Sequence, residues 1–373
     1  MKTPSPARRA LVIGAAGNIG RRLTAHLRQI GYDVLEADHR PGWRDGYVMA
    51  DITHPIDLLP AFDWHPDVVF LCAATVGRAA SDQASSMAMS TNLVGVLNVL
   101  QLCRRVDATC VFFSSSEVYG PGCDPMDDAR SVPCPNNRYG LSKYLGEQLV
   151  EFEVRNSGLR AVTLRPCMIY DEHEDVGEHR SAMIRFASNL AQGRPITVHA
   201  GSARGWLHAE DAVRAIEAAG RLGEYAVMNI GHPEVRAMAD LAAMMCEELD
   251  ADPSLVRVAE LPPQMTLVKR PTLERQRELL GIEPAVSLRE GVRRVCAVQR
   301  QAAQRAQETG RRLPLPPLVA DLADVGGGAR AGEGAPSLAE WVAGERGRGV
   351  AHGHLAPLLH RAPQRPLSAP AGD

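Results

Sequence analysis

In the stretch Asn137 to Tyr144, NRYGLSKY, a tyrosine and a lysine stand four residues apart. On a helix that spacing places Tyr139 and Lys143 one turn apart on the same face. A phenol with an unperturbed pKa of about 10 is a poor base at neutral pH, and a cation one turn away favours its phenolate form. The pair therefore has the makings of a general base. The lysine itself is conspicuous: of 41 Lys plus Arg in the chain, only Lys2, Lys143 and Lys269 are lysines. A compact ammonium with three donors can favour the phenolate while holding the ribose hydroxyls of a cofactor, whereas a planar guanidinium forks and reaches differently. With seven tyrosines and so few lysines in 373 residues, Tyr-x-x-x-Lys at helical spacing is seldom accidental.

Upstream, the apolar run CVFF ends in Ser114-Ser115-Ser116-Glu117. A hydroxyl at the carboxyl end of a central strand lies in the crevice where doubly wound sheets bind ligands. Serines after a strand also serve as plain turn residues.

A second group of residues suits a dinucleotide. The first apolar run leads into Gly14-Ala15-Ala16-Gly17-Asn18-Ile19-Gly20 and then into a helical pattern. Glycines there let the backbone approach a pyrophosphate, and the helix N-terminus supplies amide donors. The spacing is G-x-x-G-x-x-G, and a simple strand-to-helix turn would also use it. The next β-like run ends at Asp38, a carboxylate placed to accept from an adenosine ribose and to repel a 2′-phosphate, which favours NAD over NADP. Arg40 pulls the other way, since a nearby arginine can accommodate that phosphate. Asp51 closes the following run and suits either an adenine amino group or a turn.

These residues need a scaffold, and the pattern supplies one. β-like runs at Ala10–Ile13, Asp33–Ala37, Val68–Cys72, Cys110–Ser114 and Ala161–Leu164 alternate with helical segments at Gly20–Ile30, about Ser85–Arg105 and Arg138–Arg155. Such alternation implies βαβ units and an α/β fold with a doubly wound parallel sheet. In the last helix Leu141, Leu145, Leu149 and Phe152 form a stripe apart from Tyr139 and Lys143, and the expectation is that the stripe packs while the pair faces a cleft. Asn136 or Asn137 is the expected N-cap.

The reading divides the chain into residues 1–165 as the dinucleotide-binding domain, with a later strand near 225–230 returning to it, residues 166–300 as a smaller substrate-binding lobe, and residues 301–373 as a weakly structured tail. The tail is rich in Pro, Gly, Ala and Arg without sustained periodicity. The loop DEHEDVGEH, with His173 and His179, lacks tight ligand spacing and reads as a substrate-lobe loop, so no metal is expected.

Taken together, GAAGNIG, Asp38, Asp51, FLCAA, Asn92 in TNLVGVLNVL, SSSEVYG, YGLSK and LRPCMIY resemble the extended short-chain dehydrogenase/reductase family, in its nucleotide-sugar epimerase and dehydratase branch. The resemblance runs to about residue 298. It implies an NAD-dependent enzyme in which Ser115 bonds the sugar 4-hydroxyl, Tyr139 is the base, and Lys143 binds nicotinamide ribose and lowers the tyrosine's pKa. It further implies that Gly14, Gly17, Asn18 and Ile19 hold the pyrophosphate, that Asp38 and Arg40 face the adenosine ribose, and that Asp51 and Ile52 border adenine. Ala73, Ala74, Asn92 and Pro166 would line the cofactor, and Arg204 and Arg270 would hold the substrate diphosphate. Met168 stands where the family has an asparagine that contacts substrate, and Asp171 where it has a glycine.

The branch oxidises a sugar at C4, and the next step sets the product. Return of hydride to the other face gives a 4-epimerase, while proton removal from C5, for which Glu117 is the candidate, gives a 4,6-dehydratase or decarboxylase. A 4-ketoreductase and a non-catalytic NAD-binding protein are the remaining readings. A homodimer through a helix pair is also implied.

Composition closes other avenues. Net charge is -3 with 23% charged residues, which leaves no electrostatic footprint for nucleic acid. No wholly apolar run approaches the roughly 18 residues that cross a bilayer. The eight cysteines form no C-x-x-C pair and read as buried hydrophobes in a reducing cytoplasm.

Overall fold

The computed structural model describes residues 7–175, 181–263 and 265–309. The strands, in chain order, are β1 Arg9–Ile13, β2 Asp33–Asp38, β3 Tyr47–Met49, β4 Val68–Leu71, β5 Thr109–Phe113, β6 Ala161–Pro166, β7 Ile169–Tyr170, β8 Ile196–His199, β9 Ala203–Gly205, β10 Leu207–His208, β11 Ala226–Ile230, β12 Val235–Ala237, β13 Val256–Ala259 and β14 Val268–Lys269. The helices are α1 Asn18–Gln29, α2 Pro55–Asp63, α3 Arg78–Gln83, α4 Ser85–Met89, α5 Val96–Val106, α6 Arg138–Ser157, α7 Ala182–Ala191, α8 Ala209–Ala219, α9 Met238–Leu249, α10 Glu274–Leu280 and α11 Leu288–Thr309, with a π-helical stretch Ser90–Gly95 joining α4 to α5.

Seven strands form one parallel sheet in the order β11-β6-β5-β4-β1-β2-β3. The order reverses between β1 and β4, and ligands of such sheets bind in the crevice at the carboxyl ends of the strands there. Alternation along each strand feeds two cores. Ala10, Val12, Phe70 and Val111 pack with Leu23 and Leu27 of α1 and Ile216 of α8. Leu11, Ile13, Val69 and Phe112 pack on the other side with Leu58, Val99 and Leu100. A third core of Met183, Ile184, Trp206, Leu241, Met245, Val292 and Val295 belongs to the second lobe, while β11 returns to the main sheet beside β6.

Three expectations change. Residues 301–309, assigned to the tail, continue α11, because Ala303 is buried one turn beyond Gln299 on the face that packs against α7 and α9; residues 310–373 lie outside the described residues, as does His179. The stripe on α6 does not pack as expected: Leu141, Leu145 and Phe152 are exposed, and only Leu149 leans on the core. The buried face of α6 consists of Tyr139, Gly140, Ser142, Lys143, Gly146, Glu147 and Val150. A Cβ at Gly146 would lie 2.6 Å from the Phe112 ring, so absence of a side chain is what seats this helix on β5. Among the cysteines, Cys134 is exposed and Cys123 half-buried. The continuous helical segment Ser85–Val106 is long and apolar enough to cross a membrane by length and composition, yet Val96, Val99, Leu100 and Cys103 are buried in the sheet's core.

Beneath the crevice lies a polar network. Arg165 on β6 makes a two-pronged pair with Glu147 on α6 (Nε–Oε1 2.9 Å, Nη2–Oε2 2.7 Å) and donates to the Tyr119 hydroxyl at 3.0 Å, which donates in turn to Asn229 Oδ1 at 2.9 Å. Removing one member of a buried pair strands the other charge. Glu147→Ala should therefore destabilise the fold by about 3–5 kcal/mol, read as a lowered urea midpoint; a midpoint equal to wild type would show that the network does not hold α6.

Candidate active site

The cofactor end is shaped by close backbone approach. Gly14 has φ +87°, and a Cβ there would lie 2.5 Å from the Ala73 nitrogen. A Cβ at Gly20 would lie 2.2 Å from the Gly14 oxygen. Only glycine fits either place, so the loop after β1, the segment after β4 and the start of α1 converge. Gly17 caps α1 without a side-chain bond, which leaves the amides of the first turn, Asn18 and Ile19 among them, open to an anion. These are the features a pyrophosphate needs.

Asp38, buried at the end of β2, accepts from the amides of Ala16 at 2.9 Å and Arg40 at 3.0 Å. The exposed Arg40 guanidinium donates to the Ala16 carbonyl at 3.2 Å, so both residues border the loop. Asp51 makes a local turn, accepting from the Thr53 amide at 2.9 Å and hydroxyl at 2.8 Å; these bonds hold its pKa below the usual range against the effect of burial. Ile52 is buried against Gly95. Ala73 donates its amide to the Ile13 carbonyl, and Ala74 follows it. Asn92, fully buried in the π-helical stretch, spends its amide on the Thr75 amide and carbonyl and on the Ser142 hydroxyl. It thereby ties the Ala73–Thr75 segment to α6. Pro166 ends β6 opposite Ile230.

At the chemical end, Asn137 caps α6 by accepting from the Gly140 amide at 2.9 Å, which sets Tyr139 in the first turn. Tyr139 lies near enough to Ser115, the residue that follows β5 and Ser114, for that hydroxyl to act on its phenol. Burial pushes the phenol up to about 12, against the lowering effect of Ser115, and Glu117 adds to the rise. Lys143 lies one turn on, but its ammonium donates to the Phe113 carbonyl at 2.8 Å and sits 5.3 Å from the centre of the Phe112 ring. Burial lowers its pKa to about 8. The lysine is thus anchored on β5, and burial and Glu117 hold the phenol up against the effect of Ser115. A bound cofactor of positive charge at this point would favour the phenolate.

Glu117 is held from three sides. Its Oε1 accepts from the Lys269 ammonium, and its Oε2 faces Arg78 Nε at 3.3 Å and accepts from Asn137 Nδ2 at 2.9 Å. Burial works to raise its pKa, but Lys269, Arg78 and Asn137 outweigh that and leave it at about 2. A carboxylate so stabilised is a weak base. Lys269 carries no motif in the sequence, and its only signal there is its rarity as one of three lysines; nothing in the sequence points to Arg78.

The two arginines assigned to diphosphate are placed differently. Arg204 on β9 is buried, its guanidinium donating to the carbonyls of Ala203, Thr266 and Leu267 at 2.7–2.8 Å. Burial lowers its pKa to about 10, partly offset by Glu117. Arg270 is half exposed and pairs with Asp124 at 3.4 Å; its neighbour Lys269 takes the inward direction, as alternation on β14 requires. Met168 keeps a left-handed φ of +45°, a conformation asparagine tolerates well, and its sulfur lies 3.9 Å from the Lys269 ammonium. Asp171 pairs with Arg22 on α1, as does Glu172 at 3.0 Å.

A family model described as NAD dependent epimerase/dehydratase matches residues 10–231 of the chain. A putative UDP-glucose 4-epimerase of Methanocaldococcus jannaschii is 28% identical over 300 residues, covering 76% of this chain and 96% of that relative. UDP-glucuronic acid decarboxylase 6 of Arabidopsis thaliana is 25% identical over 307 residues, covering 76% and 86%. The crystal structure of a Thermus thermophilus UDP-glucose 4-epimerase in complex with NAD superposes with a TM-score of 0.70 at 25% identity, covering 79% of this chain and 99% of that one.

In the cofactor-free protein, the wild-type minus Tyr139→Phe difference absorbance should show a phenol ionising at about 12. A midpoint at the ordinary value of about 10 would contradict the burial of Tyr139 described above.

Proposed function

We propose that this chain, which belongs to the NAD dependent epimerase/dehydratase family, is a nucleotide-sugar 4-epimerase that works through a transient 4-keto sugar. The observation that carries the reading is the Ser115–Tyr139 contact at the end of β5 beside a Glu117 that Lys269, Arg78 and Asn137 hold as a stable carboxylate. The first arrangement suits proton transfer at a sugar hydroxyl. The second withholds the base that C5 chemistry requires.

NAD fits the cradle at Gly14, Gly17, Asn18 and Ile19, with Asp38 and Arg40 at the adenosine end, Asp51, Ile52, Ala73, Ala74, Asn92 and Pro166 along its length, and Lys143 near the nicotinamide ribose. When bound, it supplies a hydride acceptor and a positive charge. Tyr139 then takes the 4-hydroxyl proton on its phenolate oxygen, and Ser115 orients the sugar oxygen by its hydrogen bond. Lys143, held by the Phe113 carbonyl, stays one turn below the phenol. On return, Tyr139 gives the proton back to the oxygen at C4. Arg204 is the buried cation for the diphosphate, and Met168 borders the sugar.

We also propose that two copies pair through the exposed face formed by the π-helical stretch before α5 and by α6, which shows Val94, Leu141, Leu145 and Phe152 to solvent. This is the stripe that does not pack inward, and exposed apolar side chains on neighbouring helices suit a self-complementary interface. All eight cysteines are free, Cys134 at the surface, which suits a reducing cytoplasm.

Two experiments test these readings. Incubation with hexoses deuterated at C4 on UDP, dTDP and GDP carriers should give the C4 epimer with the label retained, and Tyr139→Phe should lower turnover about 10²- to 10⁴-fold. Binding of NAD without conversion of any carrier by the wild type would defeat the enzyme reading. For the pairing, Leu145→Glu should yield a monomer by light scattering where the wild type is a dimer; an unchanged mass would place the interface elsewhere.

A further inference from the structure

At the end of the sheet opposite the reaction cleft lies a second concave site. β1 and β2 are parallel, so Arg8, just before β1, and Tyr32, just before β2, share the amino edge of the sheet. β1 has five residues, which at about 3.3 Å each sets that edge about 17 Å from the Gly14 loop. Between this edge, the last turn of α1, the end of α8 and Ile282 after α10 is a cleft of about 620 Å³, within the range of small-molecule sites. None of its residues serves the proposed reaction.

Cations reach this cleft from several directions. Arg8 comes from the chain before β1, Arg214 from α8, Arg221 from just past its end, and His26 from α1. Glu217, buried, accepts from the Tyr32 hydroxyl at 2.7 Å and pairs with Arg221. Arg214 pairs with Asp211 at 2.6 Å and donates to the Glu283 carbonyl at 3.0 Å, and Asp211 also accepts from the amides of Ala285 and Val286. Both carboxylates are therefore matched from within. Arg8 gives Nη2 to the Gly220 carbonyl at 2.7 Å and acts on the Tyr32 hydroxyl; among the described residues it has no carboxylate partner. A guanidinium has five N–H donors, and these bonds use one nitrogen of each: Nη2 of Arg8, Nη2 of Arg214 and Nη1 of Arg221. Donors remain on all three for a ligand.

Three guanidinia arriving from three places suit a tetrahedral anion, whose oxygens point apart, better than a planar carboxylate, whose two oxygens a single guanidinium takes. Inorganic phosphate, the size of two or three waters of about 30 Å³ each, fills only a small part of the cleft. Ile30, Ile282 and the Tyr32 ring line the rest, and they suit an organic group attached to the anion. We infer that this cleft binds a small phosphate monoester, with Arg8, Arg214 and Arg221 on the phosphate and Ile30, Ile282 and Tyr32 against the attached sugar or nucleoside. The inference does not rest on the proposed reaction.

The test uses the full chain with NAD bound and reads the His26 Hε1 proton resonance, assigned by its loss in His26→Gln, during titration with ribose 5-phosphate, uridine monophosphate, inorganic phosphate and, as the neutral control, ribose. Burial lowers the His26 pKa, with Arg214 and Arg221 adding to the effect and Glu217 opposing it. Both esters should move the resonance saturably and raise its midpoint, because a dianion beside the ring favours the imidazolium. The readout is local, so a nucleotide taken up at the reaction cleft does not enter it. Inorganic phosphate should bind about tenfold more weakly than the esters, and ribose should leave the resonance in place. Arg8→Gln should weaken both esters about tenfold with turnover and melting curve unchanged, and Arg8→Lys should weaken them less. If Arg8→Gln itself shifts the melting curve, Arg221→Gln combined with Glu217→Gln, which removes both members of a pair, is the second variant and should show a similar loss. No saturable movement with either ester, movement by ribose equal to that by ribose 5-phosphate, or undiminished ester binding in both variants overturns the inference. Inorganic phosphate bound as tightly as the esters also overturns it, leaving a site for the ion alone.

Discussion

The Glu117 carboxylate is the point at which the cleft is tied together. It follows β5, and its partners come from three other places in the chain: Arg78 after β4, Asn137 at the start of α6, and Lys269 at the end of β14. Asn137 has two duties. Its oxygen caps α6 while its amide bonds Glu117, so the register of the helix that carries Tyr139 and Lys143 is referred to the same carboxylate. A Cβ at Gly140 would lie 2.5 Å from the Glu117 carbonyl, which brings the helix against this turn. Disturbing Glu117 therefore moves the base as well as the pocket wall.

This constraint explains how the titratable groups divide their work. Tyr139 is buried, and burial raises its pKa to about 12; a positive charge brought beside it would favour the phenolate. Lys143 is depressed by the same burial and is fixed by a main-chain carbonyl. Glu117 is the opposite case, a carboxylate so well partnered that it stays ionised. One site thus holds a phenol kept protonated by burial and a carboxylate that its partners keep ionised. Groups whose environments push their pKa values apart divide the work between them, and the proposed reading gives proton transfer to Tyr139 and electrostatic placement to Glu117.

Much of this was legible in the sequence because it is local. The glycine loop, the alternating runs and the Tyr-Lys spacing each occupy a few consecutive residues, and their elements form where the pattern puts them. The misreadings share a cause. The leucine stripe on α6 follows the rule that apolar residues face inward, but this helix is seated by Gly140 and Gly146 and by a buried Arg165–Glu147 pair, so its apolar residues are left outside. The change of composition near residue 300 does not end α11, because Ala303 is small enough to be buried without a strong apolar signal. Lys269 and Arg78 meet Glu117 across separations of 152 and 39 positions in the chain, and no spacing rule joins them. For Lys269 the trace was its rarity.

The central claim is that Glu117 orders the cleft without moving a proton at C5. It is tested most directly by running the enzyme to equilibrium with its nucleotide sugar in D2O and reading the recovered substrate and product by proton NMR. The account predicts inversion at C4 with a full C5 proton signal in both. Deuterium at C5 would contradict it, because a base would then have reached that carbon, and Glu117 is the carboxylate proposed for that step.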